Sequence, residues 1–448
     1  MQDYVVRADQ VAAAITDGTL QPGDRLPPQR IFAHQHGIAA STASRVYAEL
    51  ARRGLTAGEV GRGTFVRAAM ARPGPALTEP VSGRIDLEMS SPVLPGQHIL
   101  LAPALLALAR RPDVLNSALQ PCGVAADPPG RRAAARSLQR GGWQPDPATL
   151  LFAGSGRQAL AAVFSALVPQ GGRIGFEELT YPVAKAVATR LGFTAVRLAM
   201  DEHGLRPDAV AAAHRAGALH AIYVQPTLHN PLGITMPDRR RAELAAAVAA
   251  LDGTVLVEDA VYGFLQPHDL PPLAARLPEQ TVLVDSLSKR VAPGLTLGFI
   301  AAPADLGPAL SAALRSGGWA PTGLPLDLGL RWLADGTVAA LEAAKRDDAA
   351  ARQAMVARLL GSLAVQANPA AYHAWLHLPD VWRAETFVLA ATRRDIAITP
   401  ASAFSVMPAH APNAVRIALA SPTLPALEAA LTTLAALARN GPEAATLD

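Results

Sequence analysis

Residues 281–296 read TVLVDSLSKRVAPGLT, and their order decides how the rest of the chain is read. The apolar run from Thr281 to Val284 suits a strand buried on both faces, and it delivers Ser286, Ser288 and Lys289 just beyond its end. A lysine held there loses solvation, which lowers its pKa and makes the neutral amine a nucleophile toward a carbonyl. Taken alone, such a lysine is more often a solvated side chain on a loop. The chain, however, has only Lys185, Lys289 and Lys345 among its 40 basic residues, so each lysine is informative.

Upstream, TVLVEDAVYGF (254–264) ends a second apolar run with Glu258 and Asp259, then Tyr262. AIYVQPTLHNPLG (221–233) adds Asn230, and LLFAGSGRQAL (150–160) has the order strand, Gly-Ser-Gly turn, helix start. Such a turn offers backbone N–H groups and the helix dipole to an anion, with Ser155 and Arg157 as further donors. Each piece alone is common, and an acid at a strand end usually caps a helix. In this order they describe a pyridoxal-phosphate pocket: phosphate cradle, ring ligands, Schiff-base lysine.

The apolar runs alternate with alanine-rich helical stretches such as RQALAAVFSAL (157–167) and RRRAELAAAVAAL (239–251). That alternation predicts an α/β fold: a mixed, mostly parallel sheet with helices on both faces. From about residue 336 the pattern becomes helix-rich with short strands, YHAWLHL and AVRIALA, which reads as a smaller α+β lobe.

The first 67 residues differ. Helices are expected at 6–15, 28–36 and 41–53, the last capped by Ser41 or Thr42, followed by a hairpin through Gly61-Arg62-Gly63. Helix, helix, turn, helix, hairpin is the order of a winged helix-turn-helix. Residues 23–67 hold seven arginines against Asp24, Glu49 and Glu59, although the whole chain carries only +3. In such a unit the third helix enters the major groove of double-stranded DNA. Ser41, Thr42, Ser44 and Arg45 open that helix, and Arg30 and Arg62 are further candidate DNA contacts. The alternative is a small helical module with a solvated basic face. Residues 68–84, with three prolines, read as a short linker.

Composition bounds the class. Half of the 448 residues are hydrophobic and 17% are charged, which fits large buried cores. The single cysteine, Cys122, excludes an internal disulfide framework and a cysteine-based zinc site, and no metal site is expected. No uncharged apolar stretch is long enough for a membrane span, and MQDYVVRADQ lacks a signal-peptide layout, so a soluble, cytoplasmic protein is expected.

The N-terminal segment resembles the GntR-type winged helix through LPPQR (26–30), GI…STASRVYAEL (37–50) and GEVGRGTFV (58–66). Ala40 stands where many relatives carry arginine or valine. Residues from about 85 to 440 resemble fold-type I aminotransferases. That resemblance implies that Tyr181 stacks on the cofactor ring, Asn230 and Tyr262 bond its phenolic oxygen, and Asp259 bonds its ring nitrogen. It gives Lys289 the Schiff base, Ser155, Gly156 and Ser286 the phosphate, and Arg416 a substrate carboxylate. Two positions depart from the family: Thr296 replaces the arginine that usually follows Pro-Gly-Leu, and Leu119 replaces a tyrosine before Gln120-Pro121. Arg157 or Arg290 is then expected to supply the missing charge at the phosphate.

A winged helix fused to an aminotransferase-like domain resembles the MocR-type transcription regulators. The resemblance implies a winged-helix domain (1–67), a linker (68–84) and an aminotransferase-like domain (85–448). The large lobe is expected at about 115–335 and the small lobe at about 85–114 and 336–448. It further implies a homodimer, an operator, and an amino-acid or amine effector sensed by Schiff-base exchange. Two alternatives stay open: an active pyridoxal-phosphate aminotransferase, and a DNA-binding regulator with a cofactor-free core.

Overall fold

The computed structural model describes residues 3–16, 19–20, 23–52, 55–59, 63–66, 84–266 and 270–444. Arg62, Arg67 and the expected linker up to residue 83 lie outside the described residues.

The first unit contains helices α1 (Asp3–Thr16), α2 (Gln29–Gln35) and α3 (Ala40–Arg52) and strands β1 (Arg25–Leu26), β2 (Thr56–Glu59) and β3 (Gly63–Val66), in the sheet order β1-β3-β2. Its core is small: Ala43, Val46, Tyr47 and Leu50 of α3 pack on Ala8, Val11 and Ile15 of α1 and on Phe32. The ring of Tyr47 meets that of Phe32 edge-on at 5.3 Å, and its hydroxyl donates to the carbonyl of Pro27. α3 begins at Ala40, and the N–H groups of Thr42 and Ala43 both donate to the carbonyl of Ala39 at 3.0 Å. Ser41 and Thr42 therefore lie inside the first turn and do not cap the helix. This start puts Ala43, Val46 and Leu50 on the core and leaves Ser41, Ser44 and Arg45 exposed.

The second unit is built on a seven-stranded sheet. Its order is β5 (Leu150–Ala153), β11 (Gly298–Ala301), β10 (Thr281–Ser286), β9 (Val255–Asp259), β8 (Ala221–Val224), β6 (Arg173–Glu177) and β7 (Thr194–Leu198). β10, β9, β8, β6 and β7 run parallel, and β11 is antiparallel to both its neighbours. Every residue of β5, β8, β10 and β11 is buried, because helices cover both faces. The parallel strands end together, so their C-terminal residues share one edge of the sheet, the usual place for a ligand in such folds.

The smaller lobe has an antiparallel four-stranded sheet, β12 (Val365–Ala367), β13 (His373–His377), β16 (Ala414–Ala418) and β15 (Thr399–Pro400). Helices α8 (Ala384–Thr392) and α9 (Leu424–Ala444) supply Phe387, Leu427, Leu431 and Leu434 to its core.

Two expected lobe boundaries need correction. β4 (Ile85–Asp86) pairs in parallel with β14 (Ile396–Ala397), and Leu87 lies in the small-lobe core. But α4 (Gln97–Ala109) buries Leu101, Ala104 and Leu108 against Phe152 and Leu283 of the large lobe, so residues 97–109 are not small-lobe residues. At the other boundary, α7 (Thr337–Leu360) buries Val338 and Leu341 in the large lobe and Val356 and Leu360 in the small one. At 1.5 Å per residue this helix runs about 36 Å across both lobes. The winged unit touches the small lobe, where the Arg383 guanidinium stands 5.6 Å from the centre of the Phe65 ring. Among the described residues, no helix is long and apolar enough to cross a membrane.

Candidate ligand pocket between the lobes

A cavity of about 560 Å³ opens where the C-terminal strand ends meet the small lobe. One end is rich in hydroxyl groups. Ser155 caps helix α6 (Gly156–Leu167), its Oγ accepting from the N–H of Gln158 at 3.2 Å. A Cβ on Gly156 would stand 3.0 Å from the Ser286 Oγ, so glycine lets the two segments close around a small anion site. Ser288 and Thr296 share a hydrogen bond of 2.6 Å and line the same end. Arg157 also lines it, and its Nε donates to the Tyr181 hydroxyl at 3.3 Å.

Arg290 does not belong to this site. Its guanidinium is fully buried between Asp285, at 2.6 Å, and Glu342, and it does not line the cavity. Buried carboxylates claim the charge, since an unpaired guanidinium there would cost several kcal/mol. Arg157 is thus the candidate cation left at the hydroxyl-rich end.

Asp259, at the end of β9, accepts from the Tyr223 hydroxyl at 2.6 Å, from Gln225 Nε2 at 3.0 Å and from the N–H of Val261 at 3.1 Å. Burial pushes its pKa up to about 6 despite these donors. Tyr223 and Gln225 were not singled out from the sequence, although AIYVQ places Tyr223 on β8 and Gln225 just past its end, with Val224 opposite Glu258 of β9. Asn230 and Tyr262 line the cavity on the same side, both buried. Burial raises the Tyr262 phenol to about 12, so it acts as a donor at neutral pH.

Lys289 projects into the cavity, and its Nζ donates to the carbonyl of Ser90. Burial, helped by Arg157 and Arg416, lowers its pKa to about 7, so a large share is the neutral amine at physiological pH. Lys345 on α7, also missed in the sequence reading, donates to the carbonyls of Lys289 at 2.9 Å and Val291 at 2.7 Å. Its only sequence signal was the scarcity of lysine.

The small lobe contributes Arg416 from β16. Its Nη2 donates to the carbonyl of Glu88 and to Thr399 Oγ1 at 3.3 Å, its Nη1 to Asn230 Oδ1 at 3.4 Å, and its Nε has no partner. The guanidinium stands 5.1 Å from the centre of the Phe404 ring. Residues 88–91 also line the cavity, although no motif in the sequence marks them. The Asp86 carboxylate fixes them by accepting from the N–H groups of Glu88 at 2.8 Å and Met89 at 2.9 Å.

The cavity therefore unites Ser155, Gly156, Arg157, Tyr181, Asn230, Asp259, Tyr262, Ser286, Lys289 and Arg416. It can hold a phosphate at one end, a protonated ring nitrogen against Asp259, a carbonyl carbon near Lys289, and a carboxylate at Arg416. On the winged unit, Arg30, Ser41, Ser44 and Arg45 are exposed and Thr42 is half-buried.

Known proteins agree with both halves. Residues 6–66 match the family of bacterial regulatory proteins of the gntR family, and residues 126–434 match aminotransferase class I and II. YdeF of Bacillus subtilis, an uncharacterized HTH-type transcriptional regulator, is 30% identical over 96% of this chain and 93% of its own. PtsJ of Salmonella typhimurium, a vitamin B6 salvage pathway transcriptional repressor, is 25% identical over 85% of this chain and 87% of its own. Among solved structures, an archaeal alanine:glyoxylate aminotransferase superimposes with a TM-score of 0.71 at 20% identity, covering 80% of this chain and 91% of that one.

Proposed function

The chain belongs to the MocR-type regulators, in which a GntR-type DNA-binding unit is fused to an aminotransferase-like domain, and on that premise we propose that its pocket binds pyridoxal phosphate and senses an amino-acid or amine effector. The observation that carries this reading is the convergence of Lys289, Asp259 and Arg416 on one cavity, from two lobes.

Pyridoxal phosphate supplies a carbonyl that condenses reversibly with amines and a ring that withdraws electrons. Ser155, Ser286 and the amides of Gly156 and Arg157 hold the phosphate, with Arg157 adding charge. Asp259, kept by Tyr223 and Gln225 as an acceptor, holds the proton at the ring nitrogen. Asn230 and Tyr262 donate toward the phenolic oxygen, and Tyr181 covers the ring. Lys289 presents its amine as the resident partner of the carbonyl. An effector amine would meet that carbonyl beside Lys289, and Arg416 would take the effector's carboxylate by the paired N–H geometry suited to that group. Lobe positions then differ between the two occupants, and the winged units are placed differently on the operator.

A homodimer fits the exposed apolar face of α4 and α5 (Pro112–Ala118), where Ile99, Leu100, Leu106, Leu115 and the adjoining Leu119 are open to solvent. The intact trio of Lys289, Asp259 and Arg416 also permits a second reading, a transaminase. Sustained transfer of an amino group to a keto acid would favour it.

The test is spectroscopic. Titration with pyridoxal phosphate is expected to raise a visible absorbance band that borohydride removes, in wild type and not in Lys289→Ala. The same additions are then expected to change affinity for the protein's own promoter region. No band at saturation would overturn the cofactor reading.

A further inference from the structure

Under that reading, most polar groups of the pocket have a task. Of the cationic side chains lining it, Arg157 serves the phosphate, Lys289 the carbonyl carbon and Arg416 the carboxylate. No further lysine or arginine is found among the described lining residues, so an acidic effector side chain would meet no positive partner. Glu88 is the group left over. Its N–H donates to Asp86 and its carbonyl accepts from Arg416, yet its carboxylate has no hydrogen-bond donor among the described residues.

Burial and the neighbouring Asp86 carboxylate raise its pKa, and the charges of Arg416 and Arg84 partly oppose them. The carbonyls of Glu88 and Ser90 on the same stretch already accept from Arg416 and Lys289, which leaves the Glu88 carboxylate as its unbonded acceptor. Met89, Val261 and Phe404 also line the cavity, apolar side chains of the kind that pack a methylene chain. A carboxylate without a donor, in a cavity that also has apolar lining, suits a ligand with an alkyl stem and a donor-rich, positively charged end.

We propose that the effector is an amino acid whose side chain ends in a second ammonium group, recognised by the carboxylate of Glu88. The proposal rests on the pyridoxal-phosphate reading above and assigns the ligand class of that same pocket. The primary amine meets the cofactor carbonyl, Arg416 holds the α-carboxylate, and Glu88 selects the distal charge.

The experiment uses full-length protein loaded with pyridoxal phosphate and freed of excess cofactor. It is titrated with L-lysine, L-norleucine and L-2-aminoadipate, three chains of matched length ending in a cation, a methyl and an anion. The change in visible absorbance gives an apparent Kd for each. Lysine is expected to bind at least about tenfold tighter than norleucine, the scale of one charge-assisted hydrogen bond, with aminoadipate weakest. Glu88→Gln should bring the lysine-to-norleucine ratio to within about threefold of unity. Glu88→Lys should make aminoadipate the tightest of the three, a gained preference that a misfolded variant could not show.

Norleucine binding as tightly as lysine, or an unchanged ratio in Glu88→Gln, overturns the proposal and leaves the cofactor reading standing. Absence of any cofactor band in wild type overturns that reading, and this proposal falls with it.

Discussion

The Nζ of Lys345 lies 2.9 Å from the main-chain oxygen of Lys289, so two of the three lysines in the chain meet at one turn. The second bond, to Val291, ties α7 to the peptide that carries the candidate Schiff-base residue. Lys345 has no exposed surface, and burial lowers its pKa from 10.5 to about 7. The unfolded chain therefore binds this proton more tightly, and Lys345 adds stability as pH rises from about 7 to 10.5. Lys345→Met lacks that share. The stability of wild type minus that of Lys345→Met is expected to grow with pH across this window, as read by urea unfolding at several pH values.

Asp259 shows the opposite sign. Its pKa is about 6 in the folded protein against 3.8, so its contribution is most favourable at low pH and is lost as pH rises to about 6. At pH 7 an ionised, buried carboxylate is destabilising, and a protonated ring nitrogen is suited to offset it. Asp259→Asn is expected to melt at a higher temperature without cofactor, yet to bind pyridoxal phosphate more than about tenfold more weakly. Thermal melts paired with absorbance titrations check both halves.

Thr296 occupies the hydroxyl-rich end of the pocket and bonds Ser288 instead of supplying charge. Thr296→Arg is expected to tighten pyridoxal phosphate by about tenfold or more, the scale of one charge-assisted bond, without tightening pyridoxal. Arg157→Ala should do the reverse. Comparison of the phosphorylated and unphosphorylated ligands in each variant separates phosphate effects from ring effects.

Arg45 projects from the open face of α3, one residue past Ser44. Arg45→Ala is expected to weaken binding to the protein's own promoter fragment. If the contact is to phosphate, the slope of log affinity against log salt should shrink by about 0.9. If the contact is to a base, the slope should hold while preference over unrelated DNA falls. Fluorescence anisotropy at several salt concentrations reads both.

The exposed leucines of α4 and α5 make a last case. Leu106 is 60% exposed and Ile99 67%, on a helix whose other face packs in the large-lobe core. Placing a charge there, as in Leu106→Glu, is expected to shift a dimer toward monomer in light scattering while leaving the fold intact.

The sheet and its ligand edge were legible in the sequence because strands buried on both faces leave long apolar runs, as in TVLVDS and TVLVED. Lys289 and Asp259 drew attention because each is a charge placed at the end of such a run, whereas Arg416 was named through the family resemblance. Arg290 misled because adjacency to Lys289 says nothing about which acids fold against it, and Asp285 and Glu342 come from two other elements. Tyr223, Gln225 and Lys345 act through partners 30 to 60 residues away, roughly, and those pairings appear only once strand order is fixed. The lobe assignment of 97–109 failed similarly: an apolar helix states that some face of it packs, not against which lobe.

The main-chain oxygens of Glu88 and Ser90 already occupy Arg416 and Lys289. A ligand entering this cleft does not make those bonds afresh; it trades places with the protein's own peptide groups. The gain from each new contact is offset by one surrendered, so the net affinity is a small difference between two nearly matched sets of bonds. A receptor built this way discriminates sharply, because a poor ligand cannot repay what it displaces, yet releases a good one readily. A modest net affinity places half-occupancy at a higher ligand concentration, and occupancy then follows the rise and fall of the ligand around that value.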